Sequence, residues 1–217
     1  MKELLVLELF CGTKSISSAF EKRNHKTITV DWNADFNPTF CCDVGTITKE
    51  RVIEMCGRIP DVIWLSPDCT SYSIAGISHH RVREVGGNLK PISEYAKKCD
   101  EVNIHIINVV KSLGCLFFIE NPRGGMRKMD FIRGIPRYGV TYCQYGDTRM
   151  KPTDIWTNHP KPEFKPMCKN GDKCHEAAPR GSKTGTQGLK GAKERSVIPT
   201  QLCNHIVDIC EVFYNVV

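Results

Sequence analysis

At 217 residues the chain has room for one domain, or for one domain with a small lobe. Its 41% apolar and 25% charged residues are those of a folded globular protein and exclude a disordered or fibrous one. No run approaches the roughly 20 apolar residues of a membrane helix, and the net charge of +6 suits a polyanionic partner without requiring one.

The opening run, Leu4 to Leu7 with Leu9 and Phe10, predicts a first strand rather than a signal peptide. It ends in Cys11-Gly12-Thr13-Lys14-Ser15, and a helical stretch follows from Ile16 to Lys22. Thr27 to Val30 is a second strand ending in Asp31; Thr39 to Val44 is a third, ending near Asp43. The fourth, Val62 to Leu65, stops at the turn-forming Ser66-Pro67-Asp68, and Cys69 sits just beyond. A long polar loop spans 70–92, with His79, His80, Arg81 and Arg83. Ser93 can cap a helix from Glu94 to about Ser112, whose Val102, Ile106, Val109 and Val110 fall at core spacing. Leu116 to Ile119 is a fifth strand, running into Glu120-Asn121-Pro122. Two further strands, Tyr138 to Gln144 and Asp154 to Thr157, flank Tyr145 to Lys151. From 159 to 197 apolar residues become scarce and Pro, Gly, Lys and Arg dominate. Ile198-Pro199 opens a last helix, with Leu202, Ile206, Ile209 and Val212 or Phe213 inward. Strands separated by helix-length segments predict an α/β fold with a parallel sheet.

In such a sheet, chemistry is placed at the carboxyl ends of the strands. Gly12 permits a tight turn close to a ligand, and an acid some 20 residues on, Asp31, suits the hydroxyls of a ribose. With no second glycine in the turn, a nucleoside fits better than a pyrophosphate. Cys69 is either a nucleophile or a small buried hydrophobe. Glu120 follows four apolar residues, which favours a raised pKa, though it could equally cap the next turn. The twelve cysteines are scattered, so a reducing, cytoplasmic setting is expected rather than a disulfide framework. Cys168-x5-Cys174-His175 could give three zinc ligands, with His159 or Cys143 as a fourth; free cysteines beside a surface histidine are the alternative. The glycine-rich basic run Arg180 to Gly188 either follows a phosphate backbone or is a flexible linker.

Taken together these stations resemble the C5-cytosine methyltransferases. Leu7-Glu8-Leu9-Phe10-Cys11-Gly12 is similar to that family's D-L-F-C-G-x-G-G, and Ser66-Pro67-Asp68-Cys69-Thr70-Ser71-Tyr72-Ser73 to P-P-C-Q-x-x-S. Phe118 to Pro122 resembles E-N-V, Asp147 to Lys151 stands in place of Q-x-R-x-R, and Val197 to Ile206 resembles the closing motif. The order is the family's, over residues 4 to about 210. Departures are the missing second glycine near Thr13-Lys14-Ser15, Asp68 for a proline, Pro122 for a valine, Asp147 for glutamine and Lys151 for the last arginine.

The resemblance implies a Rossmann-like, S-adenosylmethionine-dependent methyltransferase fold: a catalytic domain of 1–157 plus 198–217, and a short basic target-recognition lobe at 158–197. It implies that Cys69 attacks cytosine, that Glu120 binds the ring nitrogen and exocyclic amine, and that Arg149 steadies the pyrimidine carbonyl or the nucleophile loop. Phe10 and Gly12 would line the cofactor's amino-acid end, Asp31 its ribose and Asp43 its adenine amine. Cys11, Thr13, Trp32, Val44, Ser66 and Pro67 complete the implied cofactor surface. The implied partner is double-stranded DNA, with RNA such as tRNA as the alternative and no obligate protein partner. An amino-group methyltransferase and a silent nucleic-acid-binding protein of the same fold are the rivals. So compact a version would suit a viral or mobile-element origin, phage included, with the host cytoplasm as its setting.

Overall fold

The computed structural model describes residues 2–176 and 191–215. All five residues of β1 (Leu5–Leu9) are buried, which only a strand covered on both faces tolerates. The chain passes through α1 (Ser15–Glu21) to β2 (Lys26–Asp31), then to a short β3 (Phe40–Cys41), and returns through α2 (Lys49–Cys56) to β4 (Val62–Leu65). β1 pairs in parallel with β2 on one side and with β4 on the other. After β4 come α3 (Ile77–His80), a hairpin of β5 (Arg81–Arg83) and β6 (Leu89–Pro91), and α4 (Glu94–Leu113). α4 is capped by the Ser93 hydroxyl, which accepts from the Ala96 N–H, and it ends at Gly114 in the left-handed region. β7 (Leu116–Pro122) lies parallel to β4. The sheet ends in β8 (Arg137–Thr141) and β9 (Pro152–Thr157), then α5 (Ala192–Ser196) and α6 (Thr200–Phe213) follow.

The strand order is β3-β2-β1-β4-β7-β9-β8, with β9 antiparallel to both its neighbours. Strands run outward in one direction from β1 and in the other from β4, so a crevice opens where β1 and β4 end. Side chains alternate across the sheet. Val6, Trp64, Leu116 and Phe118 pack under α1 and α6; Leu7, Leu9, Ile63, Leu65, Phe117 and Ile119 pack under α2 and α4. No helix among the described residues is long and apolar enough to cross a membrane.

Several elements differ from the sequence expectation. The sheet is mixed, because the β8–β9 pair turns back along β7. The third strand is two residues long: Asp43 caps a 3-10 turn at Val44–Thr46 instead of extending it. The run from Tyr138 breaks after Thr141 into a second 3-10 turn, Tyr142–Tyr145, closed by Gly146 at φ 84°. β7 continues through Glu120 and Asn121, since β9 offers Ile155 and Asp154 as partners. The loop at 70–92 holds a helical turn and the β5–β6 hairpin. On α6, Val212 is 66% exposed, and Cys203, Val207 and Cys210 join Leu202 and Ile206 inside.

Candidate active site

The crevice at the end of β1 is shaped by backbone. Phe10 and Lys14, both at φ 55°, and Gly12 at φ 44° adopt the left-handed region, which is costly for a bulky residue such as Phe10. A side chain built on Gly12 would meet nothing within 4 Å, so the space above it is open. The Asp31 carboxylate ties this turn to β2: one oxygen accepts from the Gly12 N–H (2.9 Å), the other from the Asn33 N–H (3.0 Å). Each oxygen keeps capacity for a further donor such as a sugar hydroxyl. Beside it Trp32 is 71% exposed, a free aromatic face at the end of β2. Thr13 pairs its hydroxyl with Ser15, Val44 is buried, and the exposed Asp43 uses one oxygen on the Gly45 N–H. Cys11 is buried, and its thiol is pushed up to about 12 by burial and by Glu8 and Asp31. An open glycine turn, a two-oxygen acid and an exposed ring together fit a nucleoside-bearing cofactor.

One strand over, Ser66 prolongs the β4–β1 ladder, donating its N–H to the Leu9 carbonyl, and its hydroxyl accepts from the Trp64 indole at 2.8 Å. The Pro67 carbonyl accepts from the Asn121 amide of β7 at 2.9 Å. The Asn121 carbonyl oxygen is buried without a partner among the described residues. Cys69 then turns the chain, its carbonyl accepting from the N–H groups of Tyr72 and Ser73. This loop is held by a buried network: Arg81 donates to the Ser71 carbonyl and hydroxyl and to both oxygens of Asp100, and lies 4.3 Å over the Tyr72 ring. Tyr72 donates to Asp100 at 2.6 Å and accepts from Asn103. Arg81 is therefore a clamp behind the nucleophile loop, not a residue free to close over a substrate, whereas His79 and Arg83 are exposed.

Glu120 is buried at the end of β7, and the Tyr142 hydroxyl donates to it at 3.2 Å. Burial raises its pKa; the Lys151 cation and bonds from Tyr142 and Ser66 oppose the rise. Lys151 is itself buried, at φ 26°, with its ammonium donating to the Arg195 carbonyl (2.6 Å) and 4.5 Å from the Tyr142 ring centroid. Burial lowers its pKa, while Glu120 and Cys69 raise it. Lys151, not Arg149, is thus the cation whose field acts on both Cys69 and Glu120. The Arg149 guanidinium is committed to Asp147, with Nε 2.9 Å from Oδ1. In the sequence Lys151 stands out only as the end of the Asp147–Lys151 run, and Tyr142 carries no signal beyond a place in a strand. The loop by itself does not favour the Cys69 thiolate. Burial, then Asp68 and Glu120, push the thiol up to about 11, and Lys151 only partly offsets them.

Away from this pocket, Cys168, Cys174 and His175 converge with Cys143, their ligand atoms all within 4.8 Å of one another. His159 is elsewhere, its ring 5.0 Å from that of Phe213. The basic run Arg180 to Gly188 lies outside the described residues.

The sequence matches no family model and no curated protein. Among solved structures, the methyltransferase EhMeth of Entamoeba histolytica superposes with a TM-score of 0.55, at 14% identity, over 78% of this chain and 58% of its own. The Dnmt2 methyltransferase of S. pombe gives 0.48 at 15% identity, over 72% of this chain and 49% of its own. A mutant DNMT2 of Spodoptera frugiperda gives 0.48 at 15%, over 75% and 53%. The chain therefore spans about half the length of the structures it matches. At such identity the likeness is one of fold alone, a Rossmann-like α/β sheet shared with the methyltransferase EhMeth.

Proposed function

We propose that this chain transfers a methyl group from S-adenosylmethionine to carbon 5 of cytosine, with DNA as the substrate. The observation that carries this is the meeting of Cys69, Glu120 and Lys151 at strand ends beside the Gly12–Asp31 crevice. When bound, S-adenosylmethionine supplies the methyl group and a sulfonium charge. Phe10 to Thr13 would line its amino-acid end, Asp31 its ribose, and Trp32, Asp43 and Val44 its base.

Carbon 5 of cytosine is a weak nucleophile until a thiolate adds at carbon 6, which splits one hard step into two. Cys69 is the attacking group; once carbon 5 carries the methyl group, loss of the carbon 5 proton to solvent breaks the bond between carbon 6 and sulfur, restores the ring and releases the Cys69 thiolate. A protonated Glu120 hydrogen-bonds the ring nitrogen and neutralises charge that builds on the ring. Its raised pKa keeps that proton available, and Tyr142 fixes its orientation. With Glu120 neutral, one of the two negative neighbours that hold the Cys69 proton disappears, and Lys151 remains to favour the thiolate. Lys151 is also a donor for the pyrimidine carbonyl, while Arg149 braces the wall through Asp147. In a duplex the base must first leave the stack, at a cost of a few kcal/mol.

The segment 158–197 is proposed as the recognition element, on the strength of its lysines and arginines. Lys165 and Lys193 lie over the rings of Tyr145 and Phe36, whereas Arg180, Lys183 and Lys190 lie outside the described residues.

The test is covalent trapping. With S-adenosylmethionine present, the wild-type chain should form a stable adduct with duplex DNA containing 5-fluorocytosine, because carbon 5 then has no proton to lose. Cys69→Ser should form none and transfer no methyl group. Trapping on structured RNA but not DNA would move the substrate to RNA. Methyl transfer that survives Cys69→Ser would favour an amino-group methyltransferase, and no trapping on either polymer would sink the nucleophile assignment.

A further inference from the structure

We propose that Cys143, Cys168, Cys174 and His175 form a structural zinc site that staples the segment after β9 to the wall of the active-site pocket. The spacing of the ligand atoms is the first argument. The Cys174 sulfur lies 3.7 Å from that of Cys143, and the His175 Nδ1 lies 3.7 Å from Cys168 and 3.6 Å from Cys174. Zinc–sulfur bonds of about 2.3 Å at tetrahedral angles set sulfurs about 3.8 Å apart, and a sulfur and a histidine nitrogen about 3.6 Å apart. The Cys143 and Cys168 sulfurs approach to 3.1 Å, inside that edge but well beyond the roughly 2.05 Å of a disulfide. Three sulfurs and one imidazole in a tetrahedron are a zinc set. Two of the thiols are buried, and the Gln144 amide points at the Cys174 sulfur at 3.5 Å, the outer-shell bond that steadies a thiolate ligand. Binding would send the three thiol protons to solvent and leave His175 neutral, ligating through Nδ1.

The second argument is what the segment lacks. Residues 158–176 form no helix or strand, so little backbone pairing fixes them. They are attached by scattered bonds: the Lys165 N–H to the Tyr145 hydroxyl, the Cys168 N–H to the Thr141 hydroxyl, and the Glu176 N–H to the Thr148 carbonyl. A metal would join them to the 3-10 turn Tyr142–Tyr145 at Cys143. The residue before Cys143 is Tyr142, which holds Glu120, and the chain beyond runs through Asp147 to Lys151. The staple would therefore set the base-binding wall from behind. The metal site rests on ligand geometry and on the unpaired segment, not on the methyl-transfer proposal; only its place behind a base-binding wall rests on that reading.

The full-length chain, purified without added zinc or chelator, should hold about one zinc by elemental analysis. Cobalt(II) exchanged into it should show the thiolate charge-transfer bands of a tetrahedral site. Cys143→Ser should lose the metal or bind it far more weakly, and His159→Ala should keep it, which separates the two candidate fourth ligands. If the serine variant does not fold, the wild type decides: Cys143, Cys168 and Cys174 should resist N-ethylmaleimide until a chelator is added, with a matching fall in melting temperature. A metal-free protein whose three thiols alkylate without chelator overturns the site. A Cys143–Cys168 disulfide, or zinc retained by Cys143→Ser and lost by His159→Ala, does so equally.

Discussion

β2, β1, β4 and β7 lie side by side in parallel, with the central residues of β1, β4 and β7 buried on both faces, whereas at the antiparallel end the connection from Tyr142 to Lys151, between β8 and β9, leans on side chains. In the parallel half, ladder hydrogen bonds and two apolar layers position the ends that carry Gly12, Asp31 and Cys69. In the antiparallel end, the wall facing Cys69 is held by the Asp147–Arg149 pair, by Lys151 reaching the Arg195 carbonyl, and by the Cys/His cluster. Backbone ladders are non-specific and redundant, so the first half tolerates substitution at many single positions. Side-chain links are few, and each is broken by one change.

The nucleophile loop tests where that division lies, since it leaves the parallel half yet is clamped by side chains. The Arg81 side chain is fully buried against Asp100. Removing one member of a buried pair strands the other and typically costs about 3–5 kcal/mol. Arg81→Met should destabilise the chain by that amount in denaturant titrations, and should expose Cys69 to faster alkylation. A loss below about 1 kcal/mol would mean that the backbone turn at Cys69 suffices and the loop belongs with the parallel half.

A second test asks whether the parallel half is free of buried charge. Glu8 sits within β1, its carboxylate accepting from the Ser17 N–H of α1 at 2.8 Å, and burial pushes its pKa to about 7. Below the ordinary carboxyl range both folded and unfolded chains hold the proton. Between there and pH 7 only the folded chain does, so stability falls as pH rises through this window, by about 3 kcal/mol in all, and stays lower above it. Glu8→Gln keeps an acceptor for Ser17 and removes the titration. Its unfolding free energy should be flat over the window where the wild type declines; parallel declines would clear Glu8.

The same division explains what the sequence disclosed. Apolar runs that stop abruptly marked the ends of β1, β2, β4 and β7, and so located Gly12, Asp31, Cys69 and Glu120. α2 gave a weak signal because only Val52 and Met55 are buried along it. In the antiparallel end, nothing local distinguishes Tyr142 from its neighbours, because its role arises from a partner 22 residues earlier in the chain. Cys143 and His159 were equal candidates beside Cys168, since spacing does not say which way β8 and β9 turn. Arg81 looked like a loop cation for the same reason: its partner, Asp100, is brought to it by α4.

The smallest effect sets the two halves against each other on one atom. Asp68, from the parallel half, raises the Cys69 pKa, and Lys151, from the antiparallel end, lowers it. Asp68→Asn removes a negative neighbour, so the thiol should ionise at lower pH; Lys151→Met removes the positive one, so it should ionise at higher pH. Thiolate nucleophilicity falls as pKa falls, so a tenfold gain in thiolate raises the alkylation rate at fixed pH only about three- to fourfold. Asp68 is exposed and screened by water, which keeps its share at the lower end of that scale. Iodoacetamide labelling of Cys69 at pH 8, followed by mass spectrometry, should therefore run a few-fold faster in Asp68→Asn and a few-fold slower in Lys151→Met. In the wild type the rate should keep rising with pH towards about 11. Should both variants change the rate in the same direction, access to Cys69 rather than its charge environment governs the reaction, and the opposition between the two walls fails.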